Sequence, residues 1–356
     1  MSPKKPTDRP ATLATVAEAV GVSRMTVSNA YNRPDQLSPA LRARILDAAR
    51  EIGYSGPNPV ARTLSRGEAG SVGLVLDYPL LTAFTDPATV QFLHGVAAGC
   101  EERAVGLSLV PAIEGRDAAL VRSALVDGFV LYCTPEQDAR FEAVRDRRLP
   151  YVLVDYAPHP GQRTVNIDDR GAARQVAEHV AALGHRAVGI VMPYHDLSEI
   201  APAPDDLSER YIGDERLAGW RAGLEAGGVD WSTVAVASAS GATRETGHEA
   251  AGHLLDRADR PTAIIALSDV LALGVLDAAA ERGIAVPGQL SVAGFDDVPE
   301  AALSSPPLTT IWQPHLRKGA EAVRLLLDGD DGESVHLPTE LIVRASTAPA
   351  PERSRP

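Results

Sequence analysis

The chain has 356 residues, too many for one typical domain, so length alone predicts two or three domains. Its formal charge of −13 excludes a protein that coats nucleic acid with its whole surface. The first ten residues lack the apolar run of a signal peptide, and no later stretch approaches the roughly 20 apolar residues of a membrane span. We therefore expect a cytoplasmic protein with no membrane partner.

Charge is distributed unevenly along the chain. Residues 1–70 hold ten Lys and Arg against six Asp and Glu, a charge of +4, which leaves −17 for the remainder. A basic end on an acidic body suits a protein that touches phosphate at one end only.

Residues 12–32 predict two short helices joined by a tight turn. The apolar residues of the first helix recur at the spacing of one buried face: Leu13, Val16, Ala17 and Val20. Gly21 follows where this helix must end, and Ser23 can cap a second helix on which Val27 and Ala30 point to the core. The small Ala17, the turn glycine and the β-branched Val27 together fit a helix-turn-helix.

The second of these helices predicts a surface that contacts DNA. Its outer face carries side chains able to reach base edges and phosphates: Arg24, Met25, Thr26, Ser28 and Asn29. An ordinary helical hairpin at the edge of a larger domain is the alternative. Such hairpins rarely combine this spacing with polar residues at the start of the second helix.

A third helix is predicted after a polar loop. Ser38 is placed to cap it, Pro39 to occupy its first position and Gly53 to end it. Its apolar stripe consists of Leu41, Ile45, Ala49 and Ile52. Three arginines lie elsewhere on this helix, facing either phosphate or solvent: Arg42, Arg44 and Arg50.

Residues 55–71 are rich in Gly, Pro and Ser, as linkers are. Within them Asn58 and Pro59 form a start signal for a helix of one or two turns. Isolated helices below about 12 residues are marginal in water, so this segment is expected to fold only against a partner.

From Ser71 onward, apolar runs rich in β-branched residues alternate with helical patterns. The runs span residues 71–77, 105–110, 127–132, 150–155, 187–192, 262–267 and 290–295, and the clearest helices span 170–184 and 269–283. Strands that are apolar almost throughout are typical of parallel sheets covered on both faces. About 275 residues of this alternation predict two doubly wound parallel sheets.

These features together resemble the lactose-repressor (LacI/GalR) family of bacterial transcription regulators. The resemblance is carried by the helix-turn-helix, the third helix and the segment PVARTL, and later by VNIDDRGAARQVAEHVAALGHR, ERLAGW, ALSDVLALGVL, LSVAGFDD and PPLTTIWQP. It implies an N-terminal all-α DNA-binding head and a hinge helix. A periplasmic-binding-protein-like α/β core of two doubly wound parallel-sheet subdomains would follow.

The resemblance also implies domain boundaries. The head would comprise residues 1–56, the hinge helix and linker 57–70 and the effector-binding core 71–347, followed by a disordered tail, 348–356. Three crossovers near Thr164, Ile311 and Asp330 would divide the core. Subdomain one would comprise residues 71–163 and 314–329, and subdomain two residues 164–311 and 330–347.

Further DNA contacts follow from the family relation. Thr12, Ser23 and Asn32 would join the outer face of the second helix in contacting DNA. In the hinge, Val60, Ala61 and Leu64 would enter the minor groove, with Leu64 as a wedge between base pairs. One head reads few base pairs, so two chains would bind a palindromic operator in double-stranded DNA as a homodimer. The tail lacks leucine heptads, so no C-terminal coiled coil is expected.

Polar residues at the ends of the apolar runs predict a ligand site, because ligands bind beyond the carboxyl ends of parallel strands. These residues are Asp77, Asp155, Ser268, Asp269, Asp296 and Asp297. The resemblance indicates Arg216, Ser268, Asp296 and Gln313 as effector contacts and Phe84 as a ring near the ligand. Asp269 and Asp297 would instead cap the turns or helices that follow them.

The expected effector is a sugar, because Arg216 and Asp296 suit paired hydroxyl groups. A purine-like or acidic metabolite is the alternative. Residues 194–211 form a long acidic insertion that could add contacts of its own, including an aromatic ring.

Enzyme motifs are weak in this sequence. Residues 248–253, HEAAGH, resemble a zinc-protease motif, but histidines five apart diverge by roughly 140° around a helix, against about 40° for an i, i+4 pair. His185 is expected to face a helix C-terminus rather than act as a base. Cys100 and Cys133 have no metal or redox spacing, so buried thiols, no metal and no cofactor are predicted.

The predicted function is therefore a DNA-binding repressor gated by a small effector. The alternative that remains is a cytoplasmic sugar-binding or sugar-processing protein whose helical head has another role. Carboxylates at strand ends would suit a glycosidase, yet such an enzyme would not need the head.

Overall fold

The computed structural model describes residues 11–56, 68–113, 117–157, 161–193, 200–204, 211–330 and 332–352. Backbone contacts divide the chain into two compact units, Met1–Ala69 and Gly70–Pro356. The predicted hinge residues Val60, Ala61 and Leu64 lie outside the described residues. In the described part of the chain, no helix is long and apolar enough to span a bilayer.

The first unit contains three helices, α1 (Leu13–Val20), α2 (Arg24–Asn32) and α3 (Pro39–Ile52), with a short 3₁₀ turn at Pro34–Gln36. Thr12, Ser23 and Ser38 each accept a hydrogen bond from a backbone N–H in the first turn, so each helix begins at a capped residue. Gly21 ends α1 at a φ of 72°, which glycine adopts without strain. The predicted helix pair and its turn are confirmed.

The core of the first unit is small and apolar. Its buried members are Val16, Ala17, Val27, Ala30, Ile45 and Ala49. Ile52 was predicted to belong to this stripe, and that prediction is wrong, because the side chain is 38% exposed at the last residue of α3. Arg42 and Arg44 are less free than expected, since they donate to the carbonyl oxygens of Ala30 and Val20.

The second unit alternates strands and helices, as predicted. Its strands are β1 (Ser71–Leu76), β2 (Gly106–Val110), β3 (Gly128–Tyr132), β4 (Tyr151–Val154), β5 (Arg163–Ile167), β6 (Val188–Pro193), β7 (Ile200–Pro202), β8 (Ala235–Ala239), β9 (Ala263–Ala266), β10 (Ser291–Ala293), β11 (Thr310–Trp312), β12 (Ser334–Leu337) and β13 (Glu340–Ile342). Its helices are α4 (Leu80–Thr85), α5 (Pro87–Glu102), α6 (Asp117–Ser123), α7 (Ala139–Asp146), α8 (Asp169–Ala182), α9 (Tyr211–Ala226), α10 (Arg244–Leu255), α11 (Asp269–Glu281), α12 (Pro299–Leu303) and α13 (His315–Asp328).

A six-stranded parallel sheet, here called the first sheet, has the order β12-β5-β4-β3-β1-β2. Helices α5 and α13 pack against each other beside it. Their backbones approach closely at Gly95, where any Cβ would collide with the carbonyl oxygen of Leu316. Glycine is required there because only its bare backbone permits this approach. The contact fixes the position of the N-terminal end of α13.

The second sheet has the order β10-β9-β6-β8-β7, parallel except for the antiparallel edge strand β7. Helices α8 and α9 pack as one pair and α10 and α11 as another. Strands β11 and β13 form a separate antiparallel pair. Two parallel sheets with helical cover match the predicted fold class.

The chain leaves the first sheet a few residues later than two of the predicted crossovers, Thr164 and Asp330. Strand β5, at residues 163–167, and strand β12, at residues 334–337, both lie in the first sheet, where Thr164 pairs with Ser334. The first sheet therefore extends beyond Thr164, and the chain returns to it after Asp330. Both strands carry polar residues and lie at or next to an edge, so neither shows the uninterrupted apolar run of a central strand.

The start of the predicted disordered tail is held in place. Ala348 offers its carbonyl oxygen 3.0 Å from His185 Nε2, and the Ala350 N–H donates to the Leu183 carbonyl. His185 is fully buried and lies 2.9 Å from both Thr262 Oγ1 and Ser291 Oγ. The prediction that this ring faces a helix C-terminus is therefore wrong, because it anchors the C-terminal segment instead.

Candidate functional site

The outer face of α2 carries the predicted DNA contacts of the first unit. Arg24 and Met25 are exposed, Met25 to 69%, while Thr26, Ser28 and Asn29 are half-buried. Side-chain hydrogen bonds fix two amides on this face, from Asn32 Nδ2 to Ser28 Oγ and from Asn29 Nδ2 to Gln36 Oε1, both at 3.2 Å. Long side chains at the first turn and oriented amides behind them form a surface suited to base edges.

Two other predicted DNA contacts also serve as helix caps. Thr12 accepts from Thr15 N–H at the start of α1, and Ser23 accepts from Thr26 N–H at the start of α2. Both residues are exposed, so their hydroxyl groups remain accessible beside the two helix N-termini. Backbone N–H groups at helix N-termini favour phosphate oxygens.

A second cluster of polar groups lies in the core, at the carboxyl ends of strands in both sheets. Asp155 directly follows β4, Asp296 lies just beyond β10 and Gln313 directly follows β11. Asp155 and Asp296 have backbone φ angles of 58° and 120°, in a region that residues other than glycine rarely occupy. Strained backbone of this kind clusters at functional sites.

A buried lysine joins these groups. Lys318 Nζ on α13 donates to both carboxylate oxygens of Asp155, at 2.7 and 2.9 Å, and to Gln313 Oε1 at 2.7 Å. Gln313 Nε2 in turn donates to Asp296 Oδ1 at 2.6 Å. This chain of hydrogen bonds connects the end of β4 in the first sheet to the loop after β10 in the second. We call it the Lys318 bridge.

Arg216 on α9 occupies the second-sheet side of the same cluster. Its Nε donates to Asp169 Oδ1 at 2.9 Å and its Nη1 to the Leu267 carbonyl at 2.6 Å. The guanidinium carbon lies 3.5 Å from the centre of the Phe295 ring, a stacked cation–π contact. Nη1 is also 3.9 Å from Asp296 Oδ1, so the two predicted effector contacts are neighbours.

Burial shifts the protonation of this cluster. Burial raises the pKa of Asp296 to about 7, although Arg216 opposes the shift, and the nearby Asp86 adds to it. Burial and Asp296 together hold the pKa of Asp269 well above its usual range. A carboxyl group with a pKa near 7 can release its proton when a ligand donates a hydrogen bond to it. Shifted pKa values of this kind are typical of binding sites.

Further side chains from the first sheet, its loops and helix α5 lie around this cluster. Asp86 caps α5 and accepts from Thr89, whose hydroxyl lies 2.6 Å from the Tyr78 hydroxyl. Tyr132 stacks on Phe92 with ring centres 4.0 Å apart. Burial raises the pKa of the Cys133 thiol well above its usual range, and Asp155 adds to the shift, so this thiol is not activated as a nucleophile.

Tyr211, at the end of the acidic insertion, is half-buried. Burial raises the pKa of Tyr211 to about 12, and the charges of Glu215, Asp169 and Asp155 add to the shift. Most of the insertion, residues 194–199 and 205–210, lies outside the described residues.

Four other predicted residues have the following surroundings. Phe84 on α4 is 59% exposed, so its ring is not among the buried groups. Asp77 is engaged by Arg140 Nη2 at 3.1 Å. Ser268 is half-buried and caps α11. Asp269 is not a cap, since its buried carboxylate accepts from Thr310 and from Val298 N–H.

Lys318 was not predicted, although its sequence position carried a signal. On α13 the buried residues His315, Lys318, Gly319, Ala322 and Val323 share one face at helical spacing. A lysine on the apolar stripe of an amphipathic helix must be paired, because an isolated charge is too costly to bury. That signal does not reveal the partners, which come from residues 155 and 313.

Comparison with known proteins agrees with this architecture. A family model for bacterial regulatory proteins, lacI family, matches residues 12–58, and one for a periplasmic binding protein-like domain matches residues 177–347. A helix-turn-helix-type transcriptional regulator of Mycolicibacterium smegmatis is 42% identical over 341 residues, which is 91% of this chain and 92% of that protein. The chain belongs to the LacI family.

Two solved structures place this LacI-family chain among regulators with known ligands. The lac repressor dimer, bound to operator and the anti-inducer ONPF, is 25% identical with a TM-score of 0.76, covering 96% of this chain and 100% of that one. The regulator CelR in complex with cellobiose is 29% identical with a TM-score of 0.68, covering 94% and 99%. The protein is thus a transcriptional regulator of the helix-turn-helix type, and the predicted family and fold are confirmed.

Proposed function

We propose that this LacI-family regulator represses transcription by binding a palindromic operator as a homodimer, and that a sugar bound between the two sheets of its core changes its affinity for DNA. The observation that carries the proposal is the Lys318 bridge. It brings polar side chains from both sheets together, so a ligand bound there can contact both sheets and stabilise one orientation of the sheets relative to each other.

The head supports the DNA half of the proposal. Arg24, Met25 and Asn29 lie at the exposed start and middle of α2, where side chains of a helix-turn-helix reach base edges. Hinge residues Val60, Ala61 and Leu64, outside the described residues, would add minor-groove contacts once DNA is bound. A homodimer would present two such heads to the two halves of a palindrome.

The core supports a polyhydroxylated effector. Asp296 can accept hydrogen bonds from two adjacent hydroxyl groups, and Arg216 can donate a planar pair. The fully buried Phe295 ring lies against the guanidinium and holds it in place. CelR, a structural relative at 29% identity, is known in complex with cellobiose, which favours a sugar over a purine-like or acidic metabolite.

The switch would work through differential affinity. Asp155 and Lys318 belong to the first sheet and its helices, whereas Asp296 and Arg216 belong to the second. A ligand that contacts both groups binds one relative angle of the sheets better than another, and only that difference can shift the equilibrium. A coupling free energy of about 1–3 kcal/mol would change operator affinity about 5- to 150-fold.

The cellular setting follows from this role. A repressor of bacterial genes acts in the cytoplasm and needs no catalytic activity or cofactor. We therefore propose that the carboxylates of the cluster bind ligand rather than catalyse its hydrolysis.

Operator binding is tested by gel shift against salt. A palindromic sequence from the upstream region of the protein's own gene, titrated at several salt concentrations, should give a linear fall of log affinity with log salt. A scrambled duplex of the same composition is the control. Equal affinity for both duplexes would contradict a sequence-specific regulator.

The effector site is tested by a thermal-shift screen of sugars, sugar phosphates and nucleobases on wild type, Arg216→Ala and Asp296→Asn. Arg244→Ala, which removes a surface arginine paired with Asp277 on the outside of α10 and α11, is the matched control. A sugar should stabilise wild type and the control more than the two cleft variants. A ligand that stabilises all four proteins equally binds elsewhere.

A further inference from the structure

The chain itself engages every N–H donor of the Lys318 ammonium group. A lysine has three such donors. Two go to the carboxylate oxygens of Asp155 and one to Gln313 Oε1, and the side chain is only 1% exposed. A ligand could reach this ammonium group only by displacing Asp155 or Gln313. The lysine therefore serves to hold these two residues together.

The bond between Lys318 and Gln313 joins the two halves of the core. On one side, α13 packs against β3, β4 and β5 of the first sheet. On the other side, Gln313 directly follows β11, where the Ile311 carbonyl accepts a hydrogen bond from the Asp296 N–H. The Gln313 amide also donates to the Asp296 carboxylate. Lys318 thus fastens the first sheet to a residue that backbone and side-chain bonds fix beside the second.

The same contacts cover the residues proposed to bind the effector. Asp296, Gln313 and Arg216 are each 6% exposed or less. Groups with so little surface cannot form hydrogen bonds with a sugar while the Lys318 bridge is intact. Protein side chains supply every bond of the bridge, so this closed arrangement can form before a ligand arrives. Effector binding therefore requires the bridge to open.

We propose that Lys318 is a latch, which holds the two sheets closed over the effector residues by bonding Asp155 and Gln313, and that the effector binds only after this latch opens. This inference rests on the proposed function and adds the step that regulates access to its site. A ligand that binds one conformation loses apparent affinity in proportion to the rarity of that conformation, so the latch sets the effector affinity. It also biases the angle between the sheets and, through that angle, operator binding.

A native thiol can report whether the latch is open. Cys133 directly follows β3, at the same end of the first sheet as Asp155, and its N–H donates to the Val154 carbonyl. Cys133 is half-buried, whereas Cys100, the other cysteine of the chain, is buried on α5. Opening of the latch should uncover Cys133 alone. Loosening of the whole first half of the core should uncover both thiols.

The test is the rate at which N-ethylmaleimide, a neutral reagent, modifies each thiol of the full-length protein, with mass spectrometry to locate the adduct. Two variants remove the bond between Lys318 and Gln313. Asp155→Asn/Lys318→Met removes the lysine together with its counter-charge, and Gln313→Met keeps that charge pair. Each should raise the Cys133 rate about tenfold, the effect of losing one hydrogen bond to a charged group. The Cys100 rate should stay unchanged.

A pH series separates thiol ionisation from exposure, because the thiolate is the reactive form. Burial raises the pKa of the Cys133 thiol, Asp155 adds to the shift and Lys318 opposes it. A change of thiol pKa displaces the rate profile along the pH axis, whereas opening of the latch raises the rate at every pH. Gln313→Met leaves both charges in place, so its profile should rise without displacement.

Arg282→Met/Asp256→Asn is the matched control. It removes an ion pair with two hydrogen bonds between the ends of α10 and α11, which does not join the two sheets. Cys133 should remain as protected in this control as in wild type.

Three results would overturn the latch. The first is an unchanged Cys133 rate in both latch variants. The second is a rise in the double variant alone, which would assign the protection to the charge pair. The third is an equal rise at Cys100, which would indicate general loosening of the fold. If the double variant does not fold, Gln313→Met decides alone.

Operator binding separates the latch from the proposed function. Failure of wild type to bind an operator specifically would contradict the proposed function, while the thiol rates would still decide whether the latch exists. Where wild type binds, Gln313→Met without effector should differ from it in operator affinity by about fivefold or more. Equal operator affinity despite a faster Cys133 would overturn the regulatory role of the latch.

Discussion

The head and the core present their polar side chains in opposite ways. On α2, Arg24 and Met25 are exposed, and the hydrogen bonds of that face join residues at most seven apart in sequence. In the core, Lys318, Asp155 and Gln313 are buried, and the Lys318–Asp155 bond joins residues 163 apart. Functional side chains thus have different surroundings in the two units.

Because of this difference, DNA recognition and folding stability depend on different residues. An exposed side chain that bonds only locally can be exchanged with little effect on folding, so the head can change its DNA preference freely. A buried charge held by distant partners contributes to both ligand binding and folding. Substitutions in the core cluster should therefore alter stability, and substitutions on α2 should alter affinity alone.

The largest effect is expected at Lys318. Lys318→Ala leaves the Asp155 carboxylate and Gln313 oxygen buried without their donor, which should lower the free energy of unfolding by about 3–5 kcal/mol. Urea denaturation measures the loss. The double variant Asp155→Asn/Lys318→Met removes both charges and should recover most of it. An unchanged urea midpoint for Lys318→Ala would mean that the Lys318 bridge does not stabilise the core.

The next effect concerns pH at Asp296. A carboxyl group with a pKa of about 7 in the folded protein, against 3.8 as the ordinary value, binds protons preferentially in the folded state. Its contribution is therefore present at low pH and is lost as pH rises toward 7, by about 2–4 kcal/mol. Asp296→Asn should remove this slope from denaturation curves between pH 4 and 8. Asp297→Asn, at the adjacent residue paired with Arg344, should keep it.

A smaller effect, on binding alone, is expected at Arg24. Arg24→Ala should cost about 1–3 kcal/mol of operator affinity at one symmetric pair of bases and less than about 0.5 kcal/mol of stability. Arg50→Ala is the matched control, since that arginine is exposed on α3 and paired with Asp47. Binding to operators substituted one pair at a time shows the change. Equal losses on every operator would make Arg24 a phosphate contact.

The smallest effect is expected at Phe84. Because its ring is mostly in solvent, Phe84→Ala should change stability by less than about 0.5 kcal/mol and leave sugar affinity unchanged. Calorimetric titration of the effector decides this. A clear drop in sugar affinity would mean that Phe84 contacts the ligand, as the sequence analysis predicted.

Local chemistry made the head predictable. Thr12, Ser23 and Gly21 act within one turn of their own helices, so spacing alone identifies caps and turn. Central strands such as β3 and β4 were equally visible, because burial on both faces leaves an uninterrupted apolar run.

Long-range partners were not predictable in the same way. The sequence indicated Arg216, Asp296 and Gln313 at one cleft, and the structure brings these three together. Lys318 and His315 were missed because a polar residue at the start of an amphipathic helix is usually solvated, and their burial depends on packing of α13 against α5. Strands β5 and β12 were missed because both carry polar residues, and the pairing of β12 with β5 joins residues 170 apart.

The pairing of β5 with β12 has a consequence for how this protein is made. The first sheet begins at residue 71, yet its edge strand ends at residue 337, and α13, which packs against it, ends at 328. All strands of the second sheet lie between residues 188 and 293. On the ribosome, the later half of the core can close while the earlier half still lacks an edge and a helix. The sheet whose first strand leaves the ribosome earliest is thus the last that can be completed, and until then one of its edges lacks its neighbouring strand.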